Sequence, residues 1–472
     1  MKRLDRAGGV PDIFRMRSPI PRPLRRVLAS VAPIFALAGC SANPGPPAPP
    51  PPPPVRAAAP AAIPRPPYDA AHPVMLGIDV LAAEGFAPIE GKTIGLLTHA
   101  AGVNMHGQRT SDILRRAPGV RLVALFAPEN GLDSRFPSGV NFPDRVDPGT
   151  GLVVHSLYNG VSYRPTRAQL KGIEAMVIDL QDIGTRSYTY ISAMKECMAG
   201  CFMNGVEVVV LDRPNPLGGL KVDGPPLDPS TPVSYVSDFR VPYVHGLTMG
   251  ELALMAKEAP GVLGISDARR EAGKLTVVPM RGWRRSMRWP ETRLPWIPTS
   301  PYIPDFSAVE GYPMTGLGSE RGGFRNGIGS NYPFRGISFH GVKLDVLERD
   351  LKALDIPGIG FQRVSVPDPK TGKPELGLYV TITDWDAWRP TELSVYLVRL
   401  ACQYSARASG RNPFAGLTQQ EKRSFLIYWG SSAFLEDLAV HGSRVDVLPY
   451  LRQWRERDAA YQADSRRYWL YR

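Results

Sequence analysis

The chain has 472 residues, with 56 Lys and Arg against 44 Asp and Glu, 49 Pro and only four Cys. A hydrophobic fraction of 43% is that of a globular protein with a real core and excludes disorder throughout. Four cysteines in so long a chain exclude a disulfide-stapled scaffold. The formal charge of +12 raises the question of a nucleic-acid partner, and the length predicts two or three domains.

The N-terminal 39 residues hold eight basic and two acidic side chains, which is half of the net charge. An apolar run over residues 27–37, too short to span a bilayer, leads into Leu37-Ala38-Gly39-Cys40. This order predicts a secretory signal peptide over residues 1–39, and its end resembles the lipobox of bacterial lipoproteins, in which Cys40 is lipidated. About +6 then remains on the mature chain, so no nucleic-acid partner is expected.

A proline-rich segment follows, with 13 Pro among the 24 residues of 44–67. Such a composition cannot build a core and predicts an extended polyproline II tether, so residues 40–73 are interpreted as a lipidated Cys and its tether. The protein is therefore expected to be attached to a membrane through the lipid. Because Ser41 is not Asp, known sorting patterns favour the outer membrane, facing the periplasm.

Residues 74–285 are predicted to form an α/β domain with a largely parallel sheet. Short apolar runs separated by helix-compatible stretches indicate buried strands with helices on both faces. An apolar face at helical spacing from Tyr190 to Phe202, closed by Asn204-Gly205, predicts a helix. The predicted strands cover residues 92–98, 121–126, 152–157, 174–180 and 206–211.

Residues 286–472 are predicted to form a smaller α/β domain. Pro and Gly are frequent up to about Gly341. A β-like run over residues 377–383 and a helix over residues 391–404 follow, and then a tail rich in Trp and Arg.

Polar turns follow four of the predicted strands. In open parallel sheets, ligands bind at the carboxyl ends of the strands, so a shared site is expected there, although each turn alone is typical of ordinary chain reversal. Glu129 follows a very apolar strand, and burial of its carboxyl group would raise the pKa and suit a general acid. The polar residues of these turns include His99, Asn130, Gln181, Asp182, Asp212 and Asn215.

Other residues suit recognition of a carboxylate or of a sugar. Arg186 and Arg213, in these turns, have the forked guanidinium that pairs with a carboxylate. Tyr188, in the same turns, and Trp283, further along the chain, have aromatic faces for a sugar ring. Tyr190 fits the core better by its helical phase. Asp182 and Asp212 are candidates for a second carboxylate.

Several other chemistries lack their motifs. No GxxxxGK[ST] phosphate loop and no GxSxG elbow occur, and Gly316-x-Gly318 has no clear strand before it. The histidines are scattered, with neither an HExxH motif nor paired-Cys spacing, so no metal site is expected. No organic cofactor is expected either.

A series of motifs runs in order along the chain from about residue 75 to Tyr471. The motifs are Gly77-Ile78-Asp79-Val80-Leu81, Gly95-Leu96-Leu97-Thr98, Phe126-Ala127-Pro128-Glu129, the segment 181–190, Asp212-Arg213-Pro214-Asn215-Pro216, His245-Gly246-Leu247-Thr248, Val278-Pro279-Met280-x-Gly282-Trp283 and the segment 294–301. Their order and length resemble those of the NamZ-type exo-β-N-acetylmuramidases. The chain departs from the family pattern at Asn130, at residues 98–102 and around Glu320, a candidate replacement for one of the usual family acids. The resemblance implies a Rossmann-like N-terminal domain, a smaller C-terminal α/β domain and a cleft between them.

The resemblance implies an enzyme that releases N-acetylmuramic acid from the non-reducing ends of peptidoglycan fragments. It implies Glu129 as the catalytic acid that protonates the glycosidic oxygen. The second function is open between Asp182, Glu320 and the 2-acetamido group of the sugar itself. Arg186 or Arg213 would bind the lactyl carboxylate, and other polar residues of these segments would contact substrate, namely His99, Asn130, Gln181, Tyr188, Asn215 and His245. The alternative is a muropeptide-binding lipoprotein without catalytic activity.

Overall fold

A computed structural model describes residues 74–329, 331–367 and 371–472. The signal peptide, Cys40 and the proline-rich tether, as predicted from the sequence, lie outside these residues. No helix in the described part of the chain is both long enough and apolar enough to cross a bilayer.

The first domain is built on a seven-stranded sheet in the order β3-β4-β2-β1-β5-β6-β7. All neighbours are parallel except the edge strand β3, which pairs with β4 in the antiparallel sense. Counted along the parallel strands alone, the order is 3-2-1-4-5-6, that of the Rossmann fold. The strands are β1 (Thr93–Thr98), β2 (Arg121–Ala127), β3 (Arg145–Val146), β4 (Val153–Ser156), β5 (Ala175–Asp179), β6 (Glu207–Leu211) and β7 (Leu275–Val278).

Helices cover both faces of this sheet, which explains why its central strands read as unbroken apolar runs. The helices are α1 (Gly77–Ala83), α2 (Thr110–Arg116), α3 (Tyr190–Met203), α4 (Met249–Glu258) and α5 (Asp267–Ala272), with 3₁₀ turns at Ala87–Ile89 and Trp289–Thr292. In β5, Met176 and Ile178 belong to the core under α3 and α4, whereas Val177 belongs to the core under α1 and α2.

The second domain packs helices on a four-stranded antiparallel sheet in the order β10-β11-β9-β8. The smaller α/β domain expected from the sequence is therefore confirmed. Its strands are β8 (Phe324–Arg325), β9 (Gly336–Phe339), β10 (Ile359–Pro367) and β11 (Pro374–Ile382). Its helices are α6 (Phe306–Ser319), α7 (Leu344–Lys352), α8 (Glu392–Ser409), α9 (Gln419–Trp429), α10 (Ser432–His441) and α11 (Leu448–Ser465), with 3₁₀ turns at Gly442–Arg444 and Arg466–Tyr468.

Helices α6 and α8 form the centre of this domain. Gly318 on α6 lies so close to α8 that a Cβ atom there would meet the Leu397 Cβ at 2.7 Å. The Gly318 N–H donates to Ser394 Oγ at 2.9 Å. One apolar core runs from α3 of the first domain into these helices, so the two domains share buried surface.

Candidate active site

The polar turns predicted from the sequence meet at one edge of the first sheet. His99 follows β1 directly, Glu129 lies two residues beyond β2, and Gln181 lies two residues beyond β5. The strand order reverses between β1 and β5, and ligands bind at such reversal points in open α/β sheets. There the Gln181 N–H donates to His99 Nε2 at 2.9 Å, which ties the two turns together.

A recess of about 450 Å³, partly open to solvent, lies between this edge and the second domain. The cleft expected between the domains is therefore present, and Glu129 and Asn130 lie on its first-domain side. Three aromatic residues from the second domain, Tyr312, Phe334 and Tyr428, close the other side. The remaining residues around it are Ser138, Ser187, Tyr188, Thr189, Val236, Ser300, Tyr302 and Ile303.

The Glu129 side chain is only 3% exposed and is held by two donors. The Gly139 N–H donates to Oε1, and the Thr189 hydroxyl donates to Oε2, both at 2.6 Å. Thr189 immediately precedes α3, so the start of a buried helix fixes one oxygen of the carboxylate. The carboxyl group is thus presented to the recess in a defined orientation.

The backbone at Asn130 explains how Glu129 reaches this position. Asn130 has a φ of 70°, in the left-handed region that Asn tolerates better than most residues. Its side-chain Nδ2 donates to the carbonyl of Phe136 at 2.8 Å and closes the loop. Asn130 therefore shapes the turn that carries the carboxylate, besides bordering the recess.

Burial raises the pKa of Glu129 above its ordinary value, and the hydrogen bonds from Thr189 and Gly139 only partly oppose this. Among the described residues, Glu129 has no cationic partner in an ion pair that would favour the charged form. Tyrosines surround it, and its charge adds to burial in raising the pKa of Tyr235. A carboxyl group in this setting retains its proton to a higher pH and suits a general acid.

Thr299 holds Tyr188, an aromatic residue that borders the recess, and the neighbouring Tyr190. The Tyr188 hydroxyl donates to Thr299 Oγ1 at 2.6 Å, and the Tyr190 hydroxyl donates to the Thr299 carbonyl. Tyr188 borders the recess, whereas Tyr190 is buried in the core, as its helical phase predicted. Trp283 lies elsewhere, packed edge-on against Tyr471.

Asp182 and His245 form a buried pair beside the recess without lining it. The Gly184 N–H donates to Asp182 Oδ2 at 2.7 Å, and His245 Nε2 lies 3.6 Å from the same oxygen. The Leu247 N–H donates to His245 Nδ1 at 3.2 Å, which places the ring proton of a neutral imidazole on Nε2. A direct role of Asp182 as the second carboxylate stays a prediction.

Glu320 caps the end of α6 in the second domain and does not line the recess either. Its charge contributes, as does that of Glu129, to raising the pKa of Tyr428, for which burial is the main cause. Glu320 is thus electrostatically coupled to Tyr428, one of the three second-domain aromatic residues that line the recess.

In the structure, Arg186 has a structural role that differs from the predicted recognition of a substrate carboxylate. The side chain is fully buried and lines neither the recess nor its mouth. Its Nη1 donates to the carbonyls of Pro225 at 2.7 Å and Val241 at 2.9 Å, and its Nη2 donates to the carbonyl of Tyr428 at 2.7 Å. Because Tyr428 is at the end of α9, Arg186 fastens the second domain to the first.

Arg213 and Asn215 also lie outside the Glu129 recess. Arg213 forms a buried ion pair with Asp179 at 2.5 Å. Asn215 donates from Nδ2 to the carbonyl of Leu247 at 3.0 Å and accepts the Leu217 N–H at the same distance, so it organises the turn after β6. His99 is nearly inaccessible, and burial holds the pKa of its imidazole well below the ordinary value.

The sequence reasoning missed the residues that complete the recess from elsewhere in the chain. Thr189 belongs to the motif 181–190, but nothing in its spacing showed that its hydroxyl would reach Glu129. Gly139 and the three aromatic residues of the second domain carry no local signal, since their role depends on how the domains pack.

Two family models match the chain. Residues 94–307 match the model described as exo-beta-N-acetylmuramidase NamZ, N-terminal, and residues 310–471 match the corresponding C-terminal model. The peptidoglycan beta-N-acetylmuramidase NamZ of Bacillus subtilis (strain 168) is 36% identical over 330 residues, which cover 69% of this chain and 77% of the relative.

Two solved structures from Bacteroides fragilis NCTC 9343, both of DUF1343 family proteins, are also similar. One has a TM-score of 0.73 and 34% identity, covering 85% of this chain and all of its own. The other, with a TM-score of 0.61 and 23% identity over 84% of this chain and 99% of its own, supports the fold alone. Since the two family models together span nearly the whole described chain, the protein belongs to the family of NamZ exo-β-N-acetylmuramidases.

Proposed function

We propose that this protein is an exo-acting glycoside hydrolase that releases N-acetylmuramic acid from the non-reducing ends of peptidoglycan fragments. Membership of the NamZ family supports this activity. The observation that carries the proposal is a buried carboxyl group with a raised pKa, Glu129, set in an aromatic recess between two domains.

Glu129 acts as the general acid. Its raised pKa keeps the proton available, and transfer to the glycosidic oxygen assists departure of the leaving sugar. The carboxylate left behind accepts hydrogen bonds from Thr189 and Gly139, which favour its charged form. The two donors therefore stabilise the charge that develops on Glu129 during the reaction.

The second catalytic group, which acts together with the general acid, is the 2-acetamido group of the substrate. Glu129 is the one carboxylic acid among the described residues that line the recess. Asp182 and Glu320 lie outside this lining, which favours a substrate-assisted route over direct attack by either carboxylate. Tyr188 and the aromatic residues of the second domain provide faces for the sugar ring.

The activity is tested by incubating the purified protein with a chromogenic β-N-acetylmuraminide and with a glycan fragment that ends in N-acetylmuramic acid. Mass spectrometry is expected to show free N-acetylmuramic acid, with each chain shortened by one sugar at its non-reducing end. Release of internal fragments would contradict exo-action. Binding of the fragments without any product would favour the non-catalytic muropeptide-binding protein instead.

We also propose that the protein is lipid-anchored in the bacterial cell envelope at Cys40, on the periplasmic face of the outer membrane. The basic leader, the short apolar run and the proline-rich segment support this proposal. Metabolic labelling with a fatty-acid analogue is expected to label the wild-type chain and not Cys40→Ala. Recovery of the unlabelled wild-type chain in the soluble fraction would contradict the anchor.

A further inference from the structure

The described residues that line the Glu129 recess include no Lys, Arg or His. Apart from Glu129, the polar lining consists of the Asn130 amide and the hydroxyl groups of serine, threonine and tyrosine residues. Burial raises the pKa of every lining tyrosine above its ordinary value, so these hydroxyls stay neutral. Glu129 is therefore the one described lining group that changes its charge near neutral pH.

The elements packed around Glu129 bring no compensating charge to it. Burial and the hydrogen bonds from Thr189 and Gly139 set the pKa of Glu129, and no charged side chain of the described residues contributes. The groups that feel its charge are tyrosines, namely Tyr158 and Tyr163 after β4, Tyr190 at the start of α3, Tyr235 between β6 and α4, Tyr312 on α6 and Tyr428 on α9. No cation in the described part of the chain thus offsets a second negative charge that a ligand would bring.

The arginines nearest to Glu129 along the chain do not change this picture. Arg145 forms an ion pair with Asp133 at 2.5 Å. Arg135 is exposed on the loop between Asn130 and Gly139 and does not line the recess. Arg186 and Arg213, which the sequence reasoning assigned to the lactyl carboxylate, are buried on other partners, as described above.

The chemistry of the sugar supplies the second charge. Muramic acid differs from glucosamine by a lactyl ether on C3 of the same ring whose C1 forms the glycosidic bond, and its carboxyl group is ionised at neutral pH. When Glu129 reaches the glycosidic oxygen, the lactyl carboxylate therefore lies within the breadth of a sugar ring of it. A like charge at such a distance favours the protonated form of an acid.

We propose that Glu129 also determines specificity for muramic acid, because the lactyl carboxylate of the bound sugar keeps the Glu129 carboxyl group protonated. The inference rests on the proposed function, in which Glu129 is the acid. The substrate itself supplies the charge that retains the catalytic proton, and a sugar without the lactyl group loses this effect as the pH rises. For a separation of about 7 Å and an effective dielectric constant of about 20 to 40, the effect amounts to roughly one to two pH units.

The pH dependence of turnover by the wild-type protein tests the proposal with two substrates. They are a chromogenic β-N-acetylmuraminide and its lactyl methyl ester, which has a similar shape without the charge. The alkaline limb of kcat reports the proton on Glu129 in the substrate complex, and we expect it roughly one to two pH units higher for the acid than for the ester. Limbs at the same pH would overturn the proposal, and so would a lower limb for the acid, which would show that a cation holds the carboxylate.

Calorimetric titration of the full-length protein with N-acetylmuramic acid separates this inference from the proposed function, because it needs no turnover. Between the pH values of the two limbs, binding is expected to take up protons, seen as heats that depend on the ionisation enthalpy of the buffer. Glu129→Gln should bind the sugar without this uptake. Glu392→Gln is the matched control and should keep it, because Glu392 is also buried with a raised pKa but does not line the recess.

The outcomes of the titration are distinct. Uptake that persists in Glu129→Gln, or equal uptake by the wild type with N-acetylglucosamine, would overturn the proposal. Glu129-dependent uptake without turnover of any glycan would keep the inferred coupling and refute the proposed activity. Turnover without uptake would do the reverse.

Arg135→Gln tests whether this exposed arginine binds the lactyl carboxylate instead. We expect wild-type affinity for N-acetylmuramic acid and an unchanged limb of kcat. Roughly tenfold weaker binding of N-acetylmuramic acid, with unchanged binding of N-acetylglucosamine, would overturn the proposal, because a cation would then neutralise the charge that acts on Glu129.

Discussion

Replacing Glu129 with Gln tests the role of this carboxyl group as the proton donor, because the change removes the proton while preserving shape. The amide oxygen can accept the Gly139 N–H, and the amide nitrogen can donate to the Thr189 hydroxyl, which accepts as readily as it donates. Both hydrogen bonds are therefore kept. We expect the free energy of unfolding to change by less than about 1 kcal/mol.

Turnover should fall much further than stability. General acid catalysis contributes about 10²-fold to 10⁴-fold, or roughly 3–5 kcal/mol of transition-state stabilisation. The loss is expected near the upper end for a natural glycan, because no other carboxylic acid among the described lining residues can replace Glu129. The loss should be smaller for an aryl glycoside, whose phenolate leaves with little help from an acid.

The assay compares kcat/KM for Glu129→Gln and the wild type on both substrates. Glu392→Gln is the control, because Glu392 is also buried with a raised pKa but lies in the second domain away from the recess. This control should retain wild-type turnover. Glu129→Gln activity within tenfold of the wild type on the glycan, or equal losses on the two substrates, would refute the assignment of Glu129 as the acid.

Three further predictions concern the groups around the site. Thr189→Val removes a donor that favours ionised Glu129, so its pKa should rise further, and the alkaline limb of kcat/KM should move to higher pH. Arg186→Met leaves three buried carbonyls unpaired and should lower the free energy of unfolding by about 3 kcal/mol or more in denaturant titration. Arg164→Met, which removes a partly exposed ion pair with Glu196, should lower it by less than about 1 kcal/mol. Burial raises the pKa of Asp458 from 3.8 to about 8, so the folded state holds this proton at pH values where the unfolded chain has lost it. The free energy of unfolding should therefore fall as the pH rises from about 3.8 to about 8. Asp458→Asn should flatten that decline.

The fold could be predicted from the sequence because its main signal is local. Buried parallel strands are short and continuous in apolar residues, so the bounds of five strands and of helix α3 lie within one or two residues of those predicted. Strands β3 and β8 have only two residues each, too few for a pattern. Strand β7 is partly exposed to solvent, because Leu275 is half-buried and Thr276 is exposed. It therefore lacks the continuous apolar run of a buried strand.

The candidate site was predictable only in part. The sheet topology brings strand ends together, so Glu129, Asn130 and Tyr188 could be placed at one edge from the turn sequences. Which way a side chain points is decided by packing, and the turns alone could not show that Arg186 points away from the recess into the domain interface. For the same reason the sequence did not reveal that Gln181 and Arg213 lie outside the Glu129 recess.

The contacts at the domain interface explain why polar residues of one motif have different roles. Arg186 fastens the end of α9 to the first domain, and the hydroxyl of Tyr471, near the C-terminus, donates to Asp212 at the end of β6 at 2.6 Å. The second domain is thus held at both places to the sheet edge that carries Glu129. Tyr428 and its aromatic neighbours form one wall of the recess. The shape of the recess therefore depends on these buried contacts. Arg186 therefore acts on the recess by holding its opposite wall in place, without lining the recess itself.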